Sequence, residues 1–136
     1  MNDLILFAKA LSDPTRVRII AALREGDVCV CELSDALEMS QSTLSNHLQL
    51  IRQAGLVFTR RDGKWVYYGI EASQAAAISA LWEHHQDALG ADKRLQRDSQ
   101  RLAQRLQMRD NGRCIRGFPQ LETRPASGEE VNCPCP

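Results

Sequence analysis

The chain has 136 residues, 43% hydrophobic and 25% charged, with a formal net charge of zero. That length supports one core rather than two, and the even charge balance argues against a nonspecific coat for polyanions. No apolar run is long enough to cross a bilayer, and the start MNDLILFAKALSDP lacks the basic stretch and cleavage site of a secretory signal, so the expected location is the cytoplasm.

Taken in chain order, residues 4–11 predict a first helix with Leu4, Phe7, Ala8 and Leu11 along one side. SDPTRVRIIAALREG predicts the second: Asp13 can cap it, Pro14 suits its first position and Gly26 stops it after Leu23. Its inner face is expected at Val17, Ile20, Ala21 and Leu23 or Arg24. A third helix over 30–37 turns Leu33 and Leu37 inward. Glu38, Met39 and Ser40 then form a tight turn, with Ser40 capping a fourth helix over 41–54. Leu44, Leu48 and Ile51 make the buried stripe of that helix, and Gly55 is its stop.

The outer side of the fourth helix carries Gln41, Ser42, Ser45, Asn46, Gln49 and Arg52. Two short helices joined by a tight turn, the second polar on its outer side, form the helix-turn-helix pattern. LVFTRRDGKWVYYGI follows directly, and Asp62-Gly63 predicts a two-residue hairpin loop. A basic hairpin behind a helix-turn-helix is a wing. The expected fold is therefore mainly α, a winged helix with a two-stranded wing.

Ser73 is the expected cap of another helix, with Ala77, Ile78, Leu81, His85 and Ala88 on one side. This helix and the first lack partners within so small a core, which predicts a homodimer. Its two reading helices would meet half-sites of double-stranded DNA roughly 34–36 Å apart. Residues 91–109 read as one more helix, with a thin stripe of Leu95, Leu102 and Leu106. Arg97, Arg101, Arg105 and Arg109 recur every four residues, and the expectation is a solvated face. Residues from 111 onward are rich in Gly, Pro and polar side chains and read as a loose tail. The expected organisation is a winged-helix and dimerisation domain over 1–90, a helical extension over 91–110 and a tail over 111–136.

Charge is unevenly placed. Residues 40–70 carry Arg52, Arg60, Arg61 and Lys64 against Asp62 alone, whereas residues 1–39 are net acidic. The amides and hydroxyls of Gln41, Ser42, Ser45, Asn46 and Gln49 suit base edges and phosphates, and Arg52, Arg60, Arg61 and Lys64 suit phosphates. Trp65, Tyr67 and Tyr68 fit the hairpin core better than base stacking.

The five cysteines are 29, 31, 114, 133 and 135. In a reducing compartment they are expected as thiols or metal ligands rather than structural disulfides. Cys29 and Cys31 stand at the start of the third helix, where the helix N-terminus favours thiolate and enhanced acidity is expected. Side chains at i and i+2 of a regular helix point about 200° apart. One atom held by both sulfurs must therefore bend the helix start or meet one that is already irregular. Leu33, Leu37 and Leu44 join this helix to the reading helix, so a change at the thiols can reach the DNA contact.

LSDPTRVRII, SQSTLSNHLQLIRQAGLV and RRDGKWVYY together resemble the ArsR/SmtB family of metal- and metalloid-sensing repressors over about residues 4–90. CVCEL looks like the arsenical-resistance branch. That resemblance implies a Cys-x-Cys pair, plus a third Cys three residues on, that binds trivalent arsenic or antimony and so releases operator DNA. Here the third position is Ser34, whose hard hydroxyl is a poor ligand for a soft metalloid. The missing thiol then comes from Cys114, or from Cys133 or Cys135 in NCPCP, or the site is two-coordinate. The family's Ser-x-His pattern implies a backbone or groove contact for His47; a packed, uncharged histidine is the other reading. The zinc-sensing branch spreads acids and histidines along its last helix. Glu83, His84, His85 and Asp87 lack that spacing and read as surface groups.

The implied function is a homodimeric repressor of an inverted-repeat operator, induced by As(III) or Sb(III) and needing no organic cofactor. A thiol redox switch on the same DNA-binding fold is one alternative, and a thiol carrier of metalloid is another. No Ser-His-Asp set, carboxylate pair or phosphate loop points to an enzyme.

Overall fold

The computed structural model describes residues 1–114. Its elements run α1 (Asn2–Ala10), α2 (Pro14–Leu23), β1 (Val28–Cys29), α3 (Val30–Leu37), α4 (Gln41–Gln53), β2 (Val57–Asp62), β3 (Trp65–Ile70), α5 (Ala72–His84), α6 (Gln86–Ala91) and α7 (Lys93–Leu106). The architecture is a winged helix, with α3 and α4 as the helix-turn-helix and β2 and β3 as the wing.

Local chemistry sets most boundaries. Asp13 is extended, at φ −137° and ψ 134°, and its carboxylate accepts the N–H groups of Thr15 at 2.8 Å and Arg16 at 3.3 Å. These two bonds answer donors that the first helical turn leaves unpaired. Arg16 then reaches back to α1, its Nε donating to Ala10 O at 2.8 Å and its Nη2 to Lys9 O at 3.0 Å. Glu38 ends α3 in the left-handed region, at φ 51° and ψ 49°. Ser40 Oγ accepts from Thr43 N–H at 3.3 Å to start α4. Leu44, Leu48 and Ile51 are fully buried, as their spacing requires.

Several expectations shift. The inner face of α2 is Ile19, Ile20, Ala22 and Leu23, while Val17 and Ala21 are half-buried. α2 packs against α3, α4, α7 and the wing at once, which rotates the buried stripe. The wing gains a third strand, in the order β1-β3-β2, because Val28 pairs with Tyr68 and Cys29 with Tyr67. Asp62 pairs with Trp65, so the hairpin loop is Gly63-Lys64 rather than Asp62-Gly63. Gly63 takes φ +60° at the first central position, as a type II′ turn needs. The helix after the wing breaks at His85, and Ser73 does not cap it; Glu71 stands at that position.

The largest departure is α7. It is not a solvated extension: Asp98, Leu102 and Arg105 are buried and the helix lies along α3 and α2. Of the four spaced arginines Arg97 is exposed, whereas Arg101 and Arg105 on the helix, and Arg109 three residues beyond its end, are half-buried or buried. By contrast α1 displays Leu4 at 70% exposure and Ile5 at 44%. Among the described residues no helix is long and apolar enough to cross a membrane.

Asp13 is held below the usual carboxylate range: burial opposes this, but the N–H groups of Arg16 and Thr15, with His47 and Arg16 as nearby positive charges, outweigh it. Its contribution is therefore present above the unfolded value of about 3.9 and is lost as pH falls through the lower folded value. Asp13→Ala is expected to cost about 1 kcal/mol in urea unfolding at neutral pH. The gap between variant and native chain should close in acid.

Candidate thiol site and nucleic-acid interface

Cys29 is the last residue of β1 and the N-cap of α3, at φ −70° and ψ 149°. Cys31 lies in the first turn of that helix. Because Cys29 is extended rather than helical, its side chain is released from the i, i+2 divergence, and the already irregular helix start is the case realised. Cys114 follows α7. The sulfurs of Cys29, Cys31 and Cys114 all lie within 4.8 Å of one another, and all three residues are buried. Ser34 takes no part, since its Oγ donates to Met39 O at 2.7 Å in the turn after α3.

Charged groups around the sulfurs are paired. Glu32 is fully buried. Its Oε1 accepts the Cys29 N–H at 2.9 Å, and its two oxygens take Arg109 in a fork, Nε to Oε2 and Nη2 to Oε1, each at 2.7 Å. That hydrogen-bonded carboxylate raises the Arg109 guanidinium above its usual range, against the opposing effect of burial. One turn back, Arg105 Nε donates to Asp35 Oδ2 at 2.6 Å while its Nη2 stands 3.8 Å from Cys114 Sγ. A turn further back, Arg101 Nε donates to Ala36 O at 2.7 Å, and Arg18 Nη2 from α2 donates to Leu37 O at 2.9 Å. Both carbonyls end α3, where a helix leaves acceptors unpaired and favours cations.

The expected enhanced acidity of Cys29 is overturned. A hydrogen bond to Cys114 and burial, with Glu32 nearby, push the Cys29 thiol far up, outweighing the Cys31 N–H that favours thiolate. The helix terminus cannot compensate for loss of water.

Tyr67 was read only as hairpin core, yet its hydroxyl accepts the Cys114 N–H at 2.8 Å. Burial, opposed by that N–H donation and reinforced by the neighbouring cysteines, keeps the phenol above its usual range. Glu32, Arg105 and Arg109 were likewise missed as site residues. The four-residue arginine spacing was the visible signal, but nothing in it named a partner. His84 and His85 are exposed and stack edge to face at 4.7 Å, apart from the sulfurs. Cys133 and Cys135 lie outside the described residues.

On α4, Ser42, Asn46, Gln49 and Arg52 are exposed, while Gln41 and Ser45 are half-buried. His47 is also half-buried and packed, its Nδ1 3.4 Å from Arg16 Nη1 and 3.9 Å from Asp13 Oδ1. On the wing Arg60, Arg61 and Lys64 are exposed.

Residues 13–59 match the model of the bacterial regulatory proteins of the arsR family. The chain is 42% identical over 88 residues to the arsenical resistance operon repressor of Escherichia coli K12, an alignment spanning 61% of this chain and 75% of that one. The chain belongs to the arsR family. The arsenic resistance transcriptional regulator ArsR1 of Pseudomonas putida KT2440 is 43% identical over 81 residues; the match spans 59% of this chain and 63% of that relative's length. Among solved structures, HlyU from Vibrio cholerae N16961 superposes with a TM-score of 0.57 at 34% identity, covering 62% of this chain and 92% of HlyU. The homodimeric winged helix-turn-helix DNA-binding domain Mb0332 of Mycobacterium bovis superposes with a TM-score of 0.58 at 31% identity, covering 63% and 80%. The segment matching the arsR family model contains Cys29, Cys31 and all of α4, but it ends before β3, α7 and Cys114.

Removing Arg109 leaves the Glu32 carboxylate buried without its cation. Arg109→Ala is therefore expected to destabilise the chain by about 3 kcal/mol, read from thermal or urea unfolding. Arg109→Lys, which keeps the charge but not the fork, should lose less.

Proposed function

We propose that the chain is a homodimeric transcriptional repressor that binds an inverted-repeat operator and is released when trivalent arsenic or antimony bonds to Cys29, Cys31 and Cys114. The observation that carries this reading is the convergence of three buried sulfurs within 4.8 Å from separate parts of the chain. Trivalent arsenic favours three sulfur donors, and soft thiols match it. Cys29 and Cys114 are free thiols while Cys31 is disulfide-bonded here. Once a thiol reductant has reduced Cys31, arsenous acid and three thiols give one tris-thiolate and three waters, so both sides of that exchange are neutral.

Neutrality matters in this setting. Glu32 with Arg109 and Asp35 with Arg105 already form matched pairs beside the sulfurs. A neutral adduct leaves that balance intact. A divalent cation on three thiolates would leave one negative charge to be buried, which is costly. Access is provided by a cleft of about 550 Å³ that Cys114 lines with Asp62, Lys64, Trp65 and Arg113.

The DNA side of the reading rests on the polar outer face of α4 and the exposed wing cations. Ser42, Asn46 and Gln49 would read base edges, with Gln41 and Ser45 at the margin. Arg52, Arg60, Arg61 and Lys64 would hold phosphates, and His47, packed on Arg16, would act by placing the helix. The exposed apolar side of α1, with Leu4 and Ile5, supplies a surface for the second copy. The homodimeric Mycobacterium neighbour supports that pairing.

The same sulfurs would also serve a thiol redox switch, because Cys29 and Cys114 are in hydrogen-bonding contact. Arsenite titrated against operator-bound protein under full reduction separates the two. Release is expected for the native chain. Cys29→Ser, Cys31→Ser and Cys114→Ser should each need at least about tenfold more arsenite, a loss of roughly 1.4 kcal/mol or more. Deleting residues 115–136, and with them Cys133 and Cys135, should leave release unchanged. Release by oxidant alone would support the redox reading instead. Separately, Leu4→Asp with Ile5→Asp should yield monomers in sedimentation and weaken operator binding, because two half-sites are then no longer engaged together.

A further inference from the structure

Cys114 reaches the sulfurs at the end of a short strap laid along the wing. After α7 the backbone folds back between Asp110 and Arg113, which exchange N–H to O bonds of 3.0 and 2.9 Å. Asn111 and Gly112 make this reversal at φ +49° and +75°. Two ties then hold the strap to the wing. Arg113 Nε pairs with Asp62 Oδ2 at 3.1 Å, at the end of β2, and the Cys114 N–H donates to the Tyr67 hydroxyl in β3.

Tyr67 is the centre of this arrangement. It is 1% exposed. In the sheet it pairs with Cys29 on one side and with Arg60 on the other. The Arg60 guanidinium lies 4.3 Å from the centre of its ring, and Arg60 Nε donates to Asp27 Oδ2 at 3.0 Å. One tyrosine thus touches Cys114, pairs with Cys29 and carries Arg60 over its ring.

We infer that Tyr67 is the positioning residue that joins the thiol site to the wing: an ion that bonds Cys114 to Cys29 and Cys31 pins the strap on Tyr67 and keeps Arg60 on Tyr67 and Asp27, away from phosphate. The inference rests on the thiol reading above and adds the route by which occupancy reaches DNA. An exposed ion pair such as Arg60 with Asp27 is weak alone, so a phosphate competes with it easily when the strap is loose. Once the strap is fixed by sulfur bonds, the cation–ring contact and the ion pair are retained together and the phosphate loses one partner. The wing, rather than an unwound α3, carries the signal.

The test uses the full chain, reduced, with sodium arsenite and a duplex selected in vitro by the native protein. Tyr67→Phe keeps the ring under Arg60 and all three thiols but removes the acceptor for Cys114. Its ion-free DNA affinity is expected to stay within about twofold of native. Arsenite should still bind, one per chain by native mass spectrometry. The arsenite-induced loss of DNA affinity, typically 5–150-fold for coupled sites, should fall to less than about twofold. Arg113→Ala, which cuts the other tie at an exposed position, should reduce the response in the same direction without altering the fold.

Amide exchange over residues 57–70 gives an independent readout. Arsenite should slow it in the native chain and leave it unchanged in Tyr67→Phe, a difference that a merely structural role would not produce. A full native response in both variants, or wing exchange indifferent to arsenite in the native chain, overturns the inference. Failure of the thiol reading shows elsewhere: Cys114→Ser would then bind arsenite as the native chain does, and the link would fall with it.

Discussion

A fully buried carboxylate organises this molecule. Glu32 sits in the first turn of α3, reaches back to the Cys29 N–H, and needs a cation to stay charged out of water. Arg109 supplies it with a two-bonded fork. To bring that guanidinium to Glu32, the chain must run α7 alongside α3, and the residues after α7 must then descend on the sheet where Cys29 begins. The third sulfur is a consequence of that path. The Glu32–Arg109 pair thus joins the segment that leads to Cys114 to the helix that carries Cys31, and the Tyr67 hydroxyl and the Arg113–Asp62 pair hold it at its other end.

The arginines of α7 itself repeat the same logic at smaller scale. Arg105 answers Asp35, and Arg101 with Arg18 answers Asp98 and the last carbonyls of α3. Each raises the energy of any motion in which α3 slides alone, since it would leave a buried or half-buried charge without its partner. α3 is therefore a poor hinge. The parts joined more lightly are the strap and the wing, held by an exposed ion pair, one backbone-to-hydroxyl bond and a cation on a ring. A signal of a few kcal/mol can redistribute contacts of that size, whereas it cannot easily separate Glu32 from Arg109.

Burial also bears on the chemistry proposed for the sulfurs. Contact with Cys114 and burial push the Cys29 thiol up rather than activate it, and the proposed ligand is accordingly one that exchanges hydroxide for thiol without leaving charge behind. That preference comes from the paired charges around the sulfurs as much as from the sulfurs themselves.

Much of the fold was legible in the chain because local chemistry decides it. Asp13 and Pro14 start α2, the spacing of Leu44, Leu48 and Ile51 makes the buried side of α4, and a glycine-containing turn between two β-prone runs makes the wing. The Cys29–Cys31 pair at the start of α3 was legible as well. What the linear pattern concealed was every relation between distant residues. Arginines four apart look the same whether they face water or a row of carboxylates and carbonyls, so α7 read as solvated. The two-residue strand β1 is too short to carry periodicity and exists only because β3 offers an unpaired edge. Cys114 was the leading candidate of three further cysteines, and only packing shows it beside Cys29 and Cys31. Residue type and spacing determined most of the elements and picked out the Cys29–Cys31 pair by themselves. Tertiary structure alone decided that Cys114 meets that pair and that Tyr67 touches Cys114, because a buried charge selects its partner by position in space and not by separation along the chain.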